Sequence, residues 1–194
     1  MIKNKNNFAE CSYDKIYAYI NENLLFYTNK FGGGSVGFAL SDTNSDEEIG
    51  AVFDYAKKIS GEIKILTFDE VHTEPVAIKT PPVRLKAGVN NRGLYEAGVK
   101  YKDQKFYGGL KAIFIFGGEA RGLEMMKPDF LAVACAYENE TANRADCVLP
   151  IPNFYETEGA FTDVNGKKYF KPAVFMPKVK PLVEIITALS KNLH

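Results

Sequence analysis

Two short, uninterrupted apolar runs constrain the fold of this chain more than any other feature of its sequence. They read Ala-Ile-Phe-Ile-Phe at 112–116 and Phe-Leu-Ala-Val-Ala-Cys at 130–135, and each follows a charged residue. Apolar runs of this length, without alternating polar residues, are typical of parallel strands that are covered on both faces. We therefore predict central strands over 111–116 and 129–135.

Helical patterns alternate with further strands along the rest of the chain. Apolar residues from Tyr13 to Phe31 recur every three or four positions, which predicts one long helix. Ser45 and Glu48 form a capping box that predicts the start of a second helix, which stops near Gly61. The remaining predictions are strands at 35–40, 62–68 and 147–150, short helices at 90–98 and 140–145, a hairpin at 158–166 and a terminal helix at 181–189.

Strands that alternate with helices predict an α/β fold with a mostly parallel sheet and helices on both faces, similar to a Rossmann sheet. With 194 residues, the chain is long enough for a single domain over 1–194. Charged and proline-containing sequence from Asp69 to Pro82 predicts a loop or a crossing between two possible lobes, 1–80 and 83–194. Ligands in such sheets lie beyond the carboxyl ends of the strands.

Composition excludes several classes of function. Twenty-four basic and 24 acidic residues cancel, and no basic stripe with interleaved aromatic residues is present, which argues against nucleic-acid binding. No apolar run is long enough to span a membrane, and residues 1–8 lack the pattern of a secretory leader. The sequence therefore predicts a cytoplasmic chain that does not itself cross the membrane.

Neither the cysteines nor the histidines form a catalytic or metal-binding pattern. Cys11, Cys135 and Cys147 lie far apart, without the Cys-x-x-Cys spacing that holds zinc or an iron–sulfur cluster. Cys135 and Cys147 lie in apolar runs, where free thiols pack as small hydrophobic groups. His72 and His194 give no triad with a serine or cysteine, so no catalytic residue and no metal ligand is predicted.

The order and spacing of several segments resemble the catalytic domain of the molybdopterin oxidoreductases, which includes formate dehydrogenase. The most specific pair is Glu140-Thr-Ala to Asp146-Cys-Val-Leu-Pro150, followed by Glu158-Gly-Ala-Phe-Thr162. Two other stretches are similar to family motifs, namely Ala87 to Val99 and Lys111 to Glu119. The resemblance covers most of the chain and implies the α/β fold of that domain.

Within this superfamily, the chain is most similar to the C-terminal domain of the large subunit of NADH-quinone oxidoreductase, respiratory complex I. Members that hold molybdenum have a threonine where this chain has Asn139, and Asn-x-Glu-Gly-Arg where it has Asp163 to Lys167. Lysine in place of arginine removes a planar bidentate donor, and the added Asp163 repels phosphate. The resemblance therefore implies a domain that has the fold but no molybdenum cofactor.

This resemblance implies a structural role in the peripheral arm of a respiratory NADH dehydrogenase, at the inner face of the cell membrane. The implied partners are other subunits of that complex, which hold the iron–sulfur clusters, and the chain is either the C-terminal piece of a longer protein or a shortened subunit. Should a vestigial pterin site survive, the implied cofactor-binding residues are Gly117, Glu119, Asn139, Thr141, Thr162 and Lys167.

Two alternatives remain open from the sequence. The chain could be a fragment of an active molybdopterin oxidoreductase, in which the same six residues line a dinucleotide pocket. It could also be a stand-alone module that binds a small molecule in the strand-end crevice. For Glu140, Thr141 and Asp146, the competing interpretation is that they cap a helix and close a hairpin.

Overall fold

Strands and helices alternate along the chain in a computed structural model that describes residues 1–4, 7–68, 89–101, 109–118, 127–163 and 165–193. The helices are α1 (Tyr13–Phe31), α2 (Asp46–Ile59), α3 (Asn91–Glu96), α4 (Glu140–Arg144) and α5 (Leu182–Lys191). The strands are β1 (Ile2–Asn4), β2 (Asn7–Ala9), β3 (Val36–Leu40), β4 (Lys64–Thr67), β5 (Lys100–Tyr101), β6 (Ala112–Phe116), β7 (Phe130–Cys135), β8 (Cys147–Pro150), β9 (Gly159–Thr162) and β10 (Lys168–Lys171). The predicted loop at 69–82 lies outside the described residues.

Within the described residues, eight strands form one sheet in the order β2-β1-β8-β7-β6-β3-β4-β5. From β8 to β5 all neighbours are parallel, which confirms the predicted α/β class with a mostly parallel sheet. The strands before and after Pro81–Pro82 belong to this same sheet. Strands β9 and β10 form a separate antiparallel hairpin, referred to below as the C-terminal hairpin.

The sequence did not predict β1 and β2. These two strands form an antiparallel hairpin at the sheet edge, and β1 pairs with β8 in the antiparallel sense. The ammonium group of Met1 donates to the carbonyl of Val148 at 2.7 Å. Each strand has only three residues and no clear alternation, so the pairing of β1 with β8 and of β2 with β1, rather than local preference, determines their structure.

The two apolar runs at 112–116 and 130–135 are β6 and β7, and every residue in them is buried. On one face, Phe114 and Phe116 join Phe38 in an aromatic cluster against α1, α2 and α5. On the other face, Ile113, Ile115 and neighbouring strand residues pack with Ala142 of α4, the one helix that the described residues contribute to that cluster. Burial on both faces explains why these strands lack polar residues.

A buried polar chain joins the three longer helices. The Tyr55 hydroxyl donates to Asn21 Oδ1 at 2.5 Å, and Asn21 Nδ2 donates to the carbonyl of Leu189 at 2.9 Å. The C-terminal helix α5 is therefore connected to both α1 and α2. Within the described residues, no helix is long and apolar enough to cross a lipid bilayer.

Candidate functional site at the strand ends

The strand order reverses direction between β3 and β6, and a crevice lies beyond the carboxyl ends of the strands at this point. From there, successive strands are added outward on opposite sides, so the loops that follow β3 and β6 diverge. The crevice has a volume of about 380 Å³, near the lower end of ligand pockets, which typically span about 300–1,000 Å³. Its lining includes Thr43, Asn44, Glu48, Gly117, Cys135 and Asn139.

The loop between β3 and α2 is closed by its own side chains. Asn44 Oδ1 accepts the backbone amide of Ser41 at 2.9 Å. The capping box predicted from the sequence is confirmed, because Ser45 Oγ accepts the amide of Glu48 and Glu48 Oε2 accepts the amide of Ser45. Glu48 Oε2 also accepts Asn44 Nδ2 at 3.1 Å. The Glu48 carboxylate therefore occupies the backbone amide of Ser45 and the side-chain amide of Asn44 at the start of α2.

Glu48 is 6% exposed. Removal of its carboxyl from water raises its pKa above the ordinary value, and the hydrogen bonds from Asn44 and Ser45 offset part of this effect. A phosphate bound beside an ionised Glu48 would meet a like charge in a poorly hydrated place. The crevice lining among the described residues contains no lysine or arginine that would compensate.

Glu48 gives the stability of the chain a defined pH dependence. Because the folded chain holds this proton more tightly than the unfolded chain, its contribution is complete below pH 4.5, the ordinary pKa, and is lost as the pH rises through the folded-state pKa. Glutamine keeps an acceptor oxygen but does not titrate. We therefore expect the free energy of unfolding of the wild type to fall relative to Glu48→Gln as the pH rises above 4.5.

Urea unfolding of both proteins at a series of pH values measures this difference. A difference that stays constant across the series would show that the Glu48 carboxyl does not couple to folding in this way.

The other two acidic residues in the first turn of α2 bind the C-terminal hairpin. The Glu47 carboxylate accepts the backbone amide of Ala160 at 3.0 Å and 3.2 Å. Asp46 Oδ2 accepts the hydroxyl of Thr162 at 3.1 Å and pairs with the Lys168 ammonium at 3.1 Å. Carboxylates are favoured at a helix N-terminus, where the helix dipole is positive. The first turn of α2 is therefore a favourable place for the two carboxylates that bind the hairpin.

Asn90 completes the junction between α2, α3 and the hairpin. Its side chain is fully buried, and its Nδ2 donates to the carbonyl of Asn44 at 2.8 Å and to Asp46 Oδ1 at 3.0 Å. Its Oδ1 accepts the backbone amide of Thr162 at 2.8 Å. One amide group thus connects three segments that are distant in sequence.

The structure brings only part of the predicted cofactor-binding set into the crevice. Gly117 and Asn139 line it. The Gly117 amide donates to the carbonyl of Ala134 at 2.8 Å, and Asn139 caps α4 by accepting the amide of Ala142 at 2.8 Å. Thr141 lies buried in α4, and Glu119 lies outside the described residues.

Thr162 and Lys167 lie in the C-terminal hairpin and are not among the residues that line the crevice. Thr162 belongs to the junction with Asp46, and the Lys167 backbone amide donates to Asp163 Oδ1 at 2.9 Å. Asp163 also accepts the amide of Asn165 and so closes the hairpin turn. Asp146, for which the competing interpretation was helix capping or hairpin closure, instead accepts the amide of Leu131 at the start of β7 through its Oδ2.

Asn90, Asp46 and Glu47 were not predicted as site residues. Asp46 and Glu47 belong to the capping-box sequence. Two acidic residues at the start of a helix were the signal that could have identified them as site residues. For Asn90 the sequence offered only a position at the start of a predicted short helix. Its three bonds depend on contacts across 44 to 72 residues of chain.

Cys135 contributes a thiol to the lining of the crevice. It is 7% exposed, and burial raises the pKa of its thiol. A buried thiol that stays protonated at neutral pH is a poor nucleophile and a poor metal ligand. The predicted packing role of Cys135 and Cys147 agrees with their burial. Among the described residues, no three His, Cys, Asp or Glu side chains come together as a metal-binding group.

Comparisons with known proteins give no match, either to a protein-family model or to a curated protein.

Proposed function

We propose that this chain is a structural, cofactor-free domain of a respiratory NADH:quinone oxidoreductase, equivalent to the C-terminal domain of the large subunit of that enzyme. In this role it packs and orients neighbouring subunits, which carry the iron–sulfur clusters, in the peripheral arm at the cytoplasmic side of the membrane. The resemblance of residues 140–150 and 158–162 to the molybdopterin oxidoreductases motivates the assignment to this complex.

The observation that carries the structural role is the first turn of α2. The parallel strands, taken in space from β5 to β8, follow the order 3-2-1-4-5-6 of dinucleotide-binding sheets, in which β3 is the first strand. In such sheets a pyrophosphate lies at the N-terminus of the helix after that strand. Here the equivalent position carries Asp46 and Glu47, which bind the hairpin, and Glu48, whose carboxylate accepts the amide of the cap residue Ser45.

The size and lining of the crevice also support a domain without cofactor. Its volume of about 380 Å³ lies near the lower end of the range for ligand pockets, and Glu48 contributes an acidic group to it. The Gly117 amide and the Asn139 carbonyl oxygen, which the resemblance suggests as ligand contacts, already have partners within the chain. In this proposal the domain has the α/β fold, and the groups at the strand-end crevice make contacts within the chain instead of binding a cofactor.

Purification of the native complex tests this proposal. With an affinity tag on this chain and a mild detergent, we expect co-elution with brown, iron- and sulfide-containing partners that oxidise NADH. Molybdenum in an amount equal to the chain would instead support the active molybdopterin oxidoreductase. Elution of the chain alone would contradict the proposal and support a stand-alone binding module.

A second measurement addresses the crevice itself. We expect neither NADH nor a guanine dinucleotide to raise the thermal unfolding temperature of the purified chain, in wild type or in Glu48→Gln. Stabilisation of the wild type by either molecule, increasing with its concentration, would contradict the cofactor-free assignment.

A further inference from the structure

A second cavity, of about 630 Å³, lies between the first turn of α2, the C-terminal hairpin and the segment that leads into α5. One side is acidic and includes Glu48, Glu156 and Glu158. The other side is apolar and includes Phe170, Phe175 and Met176. We call it the acidic–apolar cavity. It is larger than the strand-end crevice. Neither the capping box of α2 nor the hydrogen bonds between α2 and the hairpin fill it.

Large apolar side chains at the mouth of this cavity are unusually exposed. Met176 is 89% exposed, while Phe170 and Val174 are each 64% exposed and Phe175 is 63% exposed. Single exposed apolar residues are ordinary on a protein surface, whereas several around one concavity are typical of an interaction site. The segment is nevertheless held in place, because the backbone amides of Val174 and Phe175 donate to the carbonyl of Tyr155.

The acidic side sets the charge of the occupant. No lysine or arginine is among the described residues that line the cavity. The nearby Lys171 offsets part of the negative charge, but its ammonium donates to the carbonyls of Phe154 and Thr157 and lies 4.6 Å from the Phe154 ring. Glu158 is exposed, and its charge acts on the nearby Lys171. A cation that enters the cavity therefore meets an available carboxylate.

We propose that the acidic–apolar cavity docks a segment of a partner polypeptide that places a lysine or arginine next to aliphatic or aromatic residues. The apolar side chains would cover the exposed surface of Phe175 and Met176, and the cation would pair with Glu158 at the rim. Charge complementarity selects this occupant over a neutral or acidic one. This inference rests on the proposed structural role only in assuming that the chain binds other chains.

Fluorescence anisotropy with labelled synthetic peptides tests this on the full chain. The probe is a short peptide that alternates leucine with lysine, and its two controls replace lysine by glutamate or leucine by serine. We expect the leucine–lysine peptide to bind at least about tenfold more tightly than either control. Binding should weaken as salt is added, since the charges at the rim are screened.

Variants of exposed residues locate the site without loss of the fold. We expect Phe175→Ser and Glu158→Gln each to weaken binding of the leucine–lysine peptide by about tenfold. Phe26→Ser is the matched control, because Phe26 is 51% exposed on α1 and does not line the cavity. It should leave peptide binding unchanged, and circular dichroism checks that all three variants are folded.

Equal binding to the wild type and to Phe175→Ser would overturn the inference. So would self-association of the chain that Phe175→Ser abolishes, because the occupant would then be a second copy. Site-specific peptide binding by a chain that purifies without cluster-bearing partners would uphold the inference and contradict the respiratory assignment. The converse result, a respiratory complex without peptide binding, would contradict only the inference.

Discussion

Replacement of Asn90 by alanine is expected to lower the free energy of unfolding by about 4 kcal/mol, since each buried polar group left without a partner costs about 1–3 kcal/mol. The variant leaves the Thr162 amide, the Asn44 carbonyl and Asp46 Oδ1 without their Asn90 bonds. Asn90 itself is fully buried, so water does not readily replace it. Urea unfolding measures the loss, and hydrogen exchange at the Thr162 amide reports whether the hairpin has separated.

Two further variants make the test of Asn90 specific. Asn90→Asp keeps an acceptor for Thr162 but removes the donor and adds a charge beside Asp46, so we expect it to be destabilised as well. Asn143→Ala, at an exposed position in α4, should change stability by less than about 0.5 kcal/mol. If Asn90→Ala were as stable as Asn143→Ala, the junction would not contribute to folding as described.

Replacement of Gly159 by alanine is expected to cost about 3 kcal/mol, because overpacking and backbone strain each cost about 1–3 kcal/mol. A Cβ atom at this position would lie 2.6 Å from Ser45 Cβ and 2.8 Å from Glu47 Oε2, and the φ angle of Gly159 is 155°. Ser45 is the N-cap of α2 and is held by its own hydrogen bonds, so it cannot move away at low cost. Thermal or urea unfolding measures the effect.

The same substitution at Gly50 provides the control. Gly50 is exposed in the interior of α2, and a Cβ there has open space. We expect Gly50→Ala to raise stability by about 1 kcal/mol, the usual difference between glycine and alanine in a helix. Opposite signs for the two substitutions would support the close approach at Gly159, whereas the same sign would contradict it.

The parts of the fold predicted from the sequence are those determined by local patterns. The buried runs of β6 and β7, the face of α1 and the capping box of α2 each depend on residues within one segment. The β1–β2 hairpin was missed because its short strands acquire their structure by pairing with each other and, for β1, with β8, which is far away in sequence. Local preference carries little information about such a strand.

The sequence could predict where the candidate site lies but not which residues form it. Parallel strands that end at a reversal of strand order place a crevice there, and the crevice exists. Thr162 was expected at that crevice and instead bonds to Asp46 and Asn90. The acidic first turn of α2 was visible in the sequence, but Ala160 and Thr162, which donate hydrogen bonds to Glu47 and Asp46, lie 113 and 116 residues further along. Only the tertiary structure shows that these carboxylates are already engaged.

The buried chain from Tyr55 through Asn21 to Leu189 also has a consequence for how the protein folds during synthesis. Asn21 bonds to a carbonyl that is 168 residues away in sequence, and Asp46 bonds to Thr162, 116 residues away. When a ribosome has released only the first half of the chain, α1 and α2 therefore still lack these partners. Contacts of such long range slow folding, so we expect native packing of α1 and α2 only after α5 has emerged.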